Sequence, residues 1–181
     1  AAGVSSPSQQ TGALVRGVRE KDIKRLPGIG SNVKFGTLDG FDASEGVAIG
    51  QRMADNLNVR IGDRISILTA RGEATPFGMT PRIKAYPVVA IFQIGVSEFD
   101  NIFVYMPIEE AQTFFNREGQ ATVLEGFVED PDRMDEIRAR IEREIAEPLL
   151  MIDWRQRNQS FFEALRVERT VMFFILTLIV V

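Results

Sequence analysis

The chain has 181 residues, 45% of them hydrophobic and 25% charged, with a net charge of −4 and neither histidine nor cysteine. That composition fits one globular domain or two small subdomains, and it supplies no disulfide framework. It excludes Ser-His-Asp and Cys-His catalysis and any His or Cys metal site, and the lack of a basic run argues against a nucleic-acid partner.

Taken in order, Ala1–Thr11 is small and polar and reads as a loop. Its first residues lack a charged stretch followed by an apolar core, so any targeting segment is expected upstream. Gly12–Arg19 alternates as a strand does, with Gly17 marking a bend or bulge. Lys21–Phe41, with Pro27 and several glycines, reads as an irregular connection. Gly28-Ile29-Gly30 lacks a third glycine and a following helical pattern, so a phosphate loop is not supported.

Val47–Gly50 is a short buried strand or a helix entry. A helix over Gln51–Asn58 follows, burying Met53, Ala54 and Leu57. Gly62-Asp63 then punctuates before a strand at Arg64–Thr69. The next stretch, Arg71 to Pro81, brackets Phe77 and Met79 between Pro76 and Pro81. With strands expected at Tyr86–Ile94 and Ile102–Met106, this suggests a long hairpin with a proline-stiffened tip. Turn residues are normally polar, so the tip either folds back onto the body or offers an apolar surface to a partner.

Pro107 opens a helix through Asn116, with Ile108, Ala111 and Phe115 on one face. Thr122–Val128 reads as a strand. Asp130-Pro131 reads as N-cap and first position of a helix reaching about Glu147, whose stripe of Met134, Ile137, Ile141 and Ile145 should face a core. Leu149–Ile152 makes a last short strand. Acidic pairs such as Glu109-Glu110 and Asp135-Glu136 fall on these helices, where solvated faces are commoner than active sites. The chain is therefore expected not to be an enzyme and to carry no cofactor or metal. Mixed strands and helices without a repeat predict an α+β fold.

From Thr170 to Val181 nothing is charged, and nothing after Asn158 is Pro or Gly. A helix begun near Ser160 has no reason to stop. Its charge-free part reaches only about 18 Å against roughly 30 Å of bilayer hydrocarbon. It is either a buried core helix or, as its uncharged faces suggest, the first half of a transmembrane helix.

Three segments resemble a known family. Gly46–Asp63 looks like the glycine–helix–leucine–glycine–aspartate signature of MacB/FtsX-type ABC-transporter permease ectodomains. Met106–Gln112 resembles the same family's strand-to-helix entry. Trp154, Phe161–Leu165, Glu168 and the apolar run resemble the entry to its second transmembrane helix. The resemblance covers nearly the whole chain and lies nearest the lipoprotein-releasing permeases, LolC, LolE and the merged LolF.

The resemblance implies a periplasmic domain over residues 1–159, incomplete at its start, followed by the beginning of a second transmembrane helix over 160–181. The domain would combine a mixed α/β membrane-proximal subdomain with a β-rich distal one. It implies a permease in the inner membrane that releases lipoprotein cargo to a periplasmic carrier, LolA. ATP hydrolysis would fall to a cytoplasmic subunit, LolD, and a second permease subunit or copy would complete the assembly. Within the hairpin, about 71–86, Thr75-Pro76-Phe77-Gly78 and then Pro81 resemble the Thr-Pro-Met-Gly…Pro tip of a carrier-gripping hook, with Met79 between them. Phe77 takes the methionine position. Lys84 stands where a basic pad beside the hook has arginine, keeping the charge without the planar fork. The pad's other arginine falls on Ile65, leaving Arg64 or Arg71 as substitutes. Met172 and Phe173 would face the cavity that receives lipid chains. An efflux or cell-division permease of the same superfamily, or a membrane-anchored sensor ectodomain, is the alternative.

Overall fold

The computed structural model describes residues 2–7, 9–75, 78–130, 133–145, 150–153, 156, 171–172, 175–177 and 179, with the backbone alone for 70–75 and 78–79. Two compact units emerge, Ala1–Val123 and Leu124–Val181.

The first unit opens with strands β1 (Ala2–Ser5) and β2 (Gln10–Val18), then the short helix α1 (Glu20–Ile23) and strand β3 (Val33–Gly36). A single 3-10 turn (Phe41–Ala43) precedes β4 (Val47–Gly50), α2 (Gln51–Leu57), β5 (Arg64–Thr75) and β6 (Gly78–Phe92). Helix α3 (Ser97–Ile102), β7 (Phe103–Pro107) and α4 (Ile108–Phe114) complete it. The strands lie in the order β3-β6-β4-β7-β2-β1-β5, and β5 also pairs with β6. That last pairing closes β6, β4, β7, β2, β1 and β5 into a ring of hydrogen-bonded strands.

Alternation decides which side chains fill the ring. Val4, Ala13, Ile49, Ile67, Tyr86 and Val104, one from each of its strands, belong to a single buried cluster with Met53 and Leu57 of α2 and Phe114 of α4. Their neighbours Ala48, Phe103 and Tyr105 point the other way, into a second cluster with Phe92, Ile23, Ile29, Leu38 and Phe41. Strands β4 and β7 are buried along their whole length, which is why Val47–Gly50 and Phe103–Pro107 are apolar throughout instead of alternating.

The stretch Gly46–Asp63 folds as expected, and each of its punctuating residues has a physical reason. Gly50 lies against the backbone of Asp100, and Gly46 lies under the side chain of Val89. Asn58 ends α2 in the left-handed region at φ 52°, a conformation asparagine tolerates and most residues do not. Gly62 takes φ 90°, and the Asp63 carboxylate accepts the Arg60 N–H at 2.7 Å. Asp100, 2% exposed, accepts the N–H groups of Ile94 at 2.7 Å and Gly95 at 3.1 Å, tying the end of β6 to α3.

Several sequence expectations need correction. Lys21–Phe41 is not wholly irregular, since it holds most of α1, all of β3 and the start of the 3-10 turn. Helix α3 was not anticipated. Thr122–Val128 forms no strand, and Val123, Leu124 and Phe127 are exposed. A strand needs a neighbour to satisfy its backbone, and no described residue pairs with this one. Residues 150–152 likewise form no strand. Helix α5 (Met134–Glu144) stops before Glu147, and none of its residues is buried. The stripe is present, but nothing described covers Ile141 and Ile145.

Candidate partner-binding hairpin

The hairpin of β5 and β6 has two parts. In its stem, Arg64 to Thr69 pairs with Pro87 to Arg82, and β1 pairs with Ser66–Leu68 on the other side. The ladder then slips: Thr69 opposes Arg82, but the next pair is Glu73 with Thr80. Three residues of β5 therefore face the single residue Pro81. Proline has no N–H to donate, so a bulge is where a strand tolerates it. Beyond the bulge the pairing resumes through Ala74 with Met79 and Thr75 with Gly78. Among the described pairings, this outer ladder bonds only to itself. The expectation of a long hairpin holds, but its strands continue to Thr75 and resume at Gly78 where a loop was expected from Arg71 to Pro81.

Pro76 and Phe77 lie outside the described residues, and the side chains of Arg71, Thr75 and Met79 are not described. Pro81 is exposed. Arg64 is exposed and donates to the Ala85 carbonyl at 2.7 Å. Register sets it opposite Pro87, while Lys84 opposes Ile67, so Arg64 and Lys84 leave opposite faces of the hairpin. Met172 is exposed, as are Val171, Ile175, Leu176 and Ile179. Phe173, Trp154 and the helix expected over 160–170 fall outside the described residues.

The stem is tied to α4 by contacts that the sequence analysis did not anticipate. Lys84 donates to Glu110 Oε1 at 2.9 Å, and the Tyr86 hydroxyl donates to the same oxygen at 2.7 Å. Glu45 stands 4.0 Å from the Lys84 ammonium. Arg82 donates to the carbonyls of Thr113 and Phe114 at 2.8 and 3.1 Å, satisfying the end of α4. The Tyr86 and Phe114 rings meet edge to face at 5.9 Å. Burial pushes the Glu110 carboxyl up, yet the donors Lys84 and Tyr86 outweigh it and hold the group below its ordinary value. Burial, with the Glu110 carboxylate beside it, drives the Tyr86 hydroxyl far above the usual phenol range. Both effects keep Glu110 ionised and Tyr86 protonated near neutrality, which is the pairing the hydrogen bond needs. The one available sequence signal was the alternation Arg82, Lys84, Tyr86, three donors on one face of a strand. Among the described residues, no group of acidic side chains is arranged to hold a metal.

The family profile of the MacB-like periplasmic core domain matches residues 2–144. The chain belongs to that family. The lipoprotein-releasing system transmembrane protein LolC of Neisseria meningitidis serogroup B is 28% identical over 171 residues, which is 93% of this chain and 41% of that protein. LolC of Xylella fastidiosa (strain Temecula1) is 26% identical over 169 residues, again 93% of this chain and 41% of that protein. LolE of Haemophilus influenzae is 23% identical over 167 residues, 92% of this chain and 40% of that protein. The chain thus spans about two fifths of the length of the curated relatives it matches. As a MacB-like core domain, it has its closed strand ring and hairpin within the matched stretch, and the Gly46–Asp63 signature is the part that builds the junction of β4, α2 and α3.

Proposed function

We propose that this chain is the periplasmic portion of a permease subunit of an ABC transporter that releases lipoproteins from the inner membrane. In this reading the β5–β6 hairpin hands them to a soluble periplasmic carrier of the LolA type. The observation that carries it is the outer ladder from Glu73 to Thr80, which among the described pairings bonds only to its own return strand, and whose connecting sequence is Thr75-Pro76-Phe77-Gly78. The names of the LolC and LolE relatives support the same reading and do not favour an efflux, cell-division or sensor assignment. The subunit itself is non-catalytic here. A separate cytoplasmic ATPase of the LolD type provides the driving force, and a second permease subunit or copy completes the assembly. The test is a calorimetric titration of the chain with the purified carrier. Saturable one-to-one binding supports the proposal, and no heat of binding at high micromolar concentrations overturns it.

The same reading makes Thr170–Val181 the outer half of a transmembrane helix, with Met172 and Phe173 toward the lipid-receiving cavity. Among the described residues, no helix is long and apolar enough to cross a membrane. Support comes from the exposure of Val171, Met172, Ile175, Leu176 and Ile179, large apolar side chains that a water-facing helix would not carry together. Deleting Thr170–Val181 is expected to leave the rest folded and more soluble. Cooperative loss of circular dichroism at room temperature in the deletion variant would instead make the segment part of a core.

A further inference from the structure

Arg82, Lys84 and Tyr86 alternate along β6, so their side chains leave one face of the strand, and each ends on α4. Helix α4 runs against them: Glu110 takes Lys84 and Tyr86, and one turn later the carbonyls of Thr113 and Phe114 take Arg82. The Glu110 side chain is only 15% exposed and receives both donors on a single oxygen. This differs from an ordinary surface ion pair, whose two long side chains wander in water and contribute little. The Lys84 ammonium also sits 5.2 Å above the Tyr86 ring, so the three groups restrain one another.

Where this strut lies matters more than how strong it is. It grips the stem just before the bulge at Pro81, and the outer ladder has no other described strand partner. From Tyr86 to Gly78 an extended strand covers about 26 Å, so a stem rotated by roughly 10° displaces the tip by roughly 5 Å. We propose that Glu110 is the positioning residue of the hairpin: acting through Lys84 and Tyr86, it fixes the direction of the stem and so the place at which the tip meets its partner. The first half of this statement stands on the geometry; the second rests on the reading of the tip as carrier-binding.

The absence of cysteine makes a direct test simple. Thr80→Cys near the tip and Arg52→Cys on α2 are both at exposed positions and accept spin labels without competing thiols. Pulsed electron-electron double resonance then reads the distance between hairpin and body. The parent chain should give one narrow distribution. Glu110→Ala should broaden it and move its mean. Glu110→Gln, which keeps an acceptor for Tyr86 but no charge for Lys84, should fall between the two. Tyr86→Phe, which keeps the buried ring, should also fall between. If Glu110→Ala fails to fold, the other two variants carry the test. Distributions identical to the parent in folded Glu110→Gln and Tyr86→Phe overturn the proposal. The same samples are titrated with the purified carrier beside Phe77→Ala. Carrier affinity should fall in step with the broadening. Full affinity in a broadened Glu110 variant, while Phe77→Ala weakens binding, overturns the second half. Full affinity in Phe77→Ala means that the carrier reading itself has failed, and the distances alone then decide the positioning role.

Discussion

Phe77→Ala is expected to weaken carrier binding by about 10- to 100-fold, because burying a Phe side chain contributes roughly 1.5–3 kcal/mol and about 1.4 kcal/mol is tenfold in affinity. The neighbouring prolines add to this by fixing φ, so the tip loses less conformational freedom when it is gripped. Lys84→Ala should cost less, about 0–1 kcal/mol, and its effect should shrink as salt is raised. Part of that small loss is internal, since Lys84 bonds Glu110, but the Tyr86 bond to the same oxygen survives the substitution. A Phe77 with a purely structural role would behave differently, lowering the melting temperature while leaving the affinity of the folded molecules unchanged. Thermal melts run beside the titration separate the two.

Gly50→Ala is expected to destabilise this chain strongly. A Cβ there would stand 2.2 Å from the Asp100 carbonyl oxygen and 2.6 Å from its carbonyl carbon and Cα. These are backbone atoms and cannot swing aside as a side chain would. Asp100 is itself anchored by the N–H groups of Ile94 and Gly95, so a shift there strains the end of β6 as well. Overpacking typically costs about 1–3 kcal/mol, and a clash with fixed backbone belongs at the upper end. For a chain of this size about 3 kcal/mol lowers Tm by roughly 6–12 °C. Gly12→Ala is the matched control: no atom lies within 4 Å of its added Cβ, and its melt should barely move. Equal melts for the two variants would contradict the packing described at Gly50.

The same segment shows what a sequence makes legible. Strand β4, helix α2, the left-handed Asn58 and the Gly62-Asp63 turn are specified locally, by an apolar run, a helical stripe and residues suited to special φ. The hairpin was legible for a related reason, as two apolar strands flank a proline-bracketed turn. Its true length was not, because only the register reveals that Pro81 occupies a bulge and leaves the outer ladder intact. The strut was harder still. Glu109-Glu110 looks like any solvated acidic pair until β6 and α4 are known to meet, and that contact joins residues 24 and 26 positions apart. Conversely, Thr122–Val128 and the α5 stripe carry the apolar pattern of buried elements without a described partner to bury them. Pattern states what a segment is suited to, while burial depends on what else is present.

The central claim is that the hairpin tip meets a periplasmic carrier, and site-specific photocrosslinking tests it most directly. A photoreactive residue replaces Phe77 in one sample and exposed Arg52 in another, and each is irradiated with purified carrier. The account predicts a carrier adduct from position 77 that unlabelled parent chain competes away, and none from position 52. An adduct from position 52 with none from position 77 would contradict it.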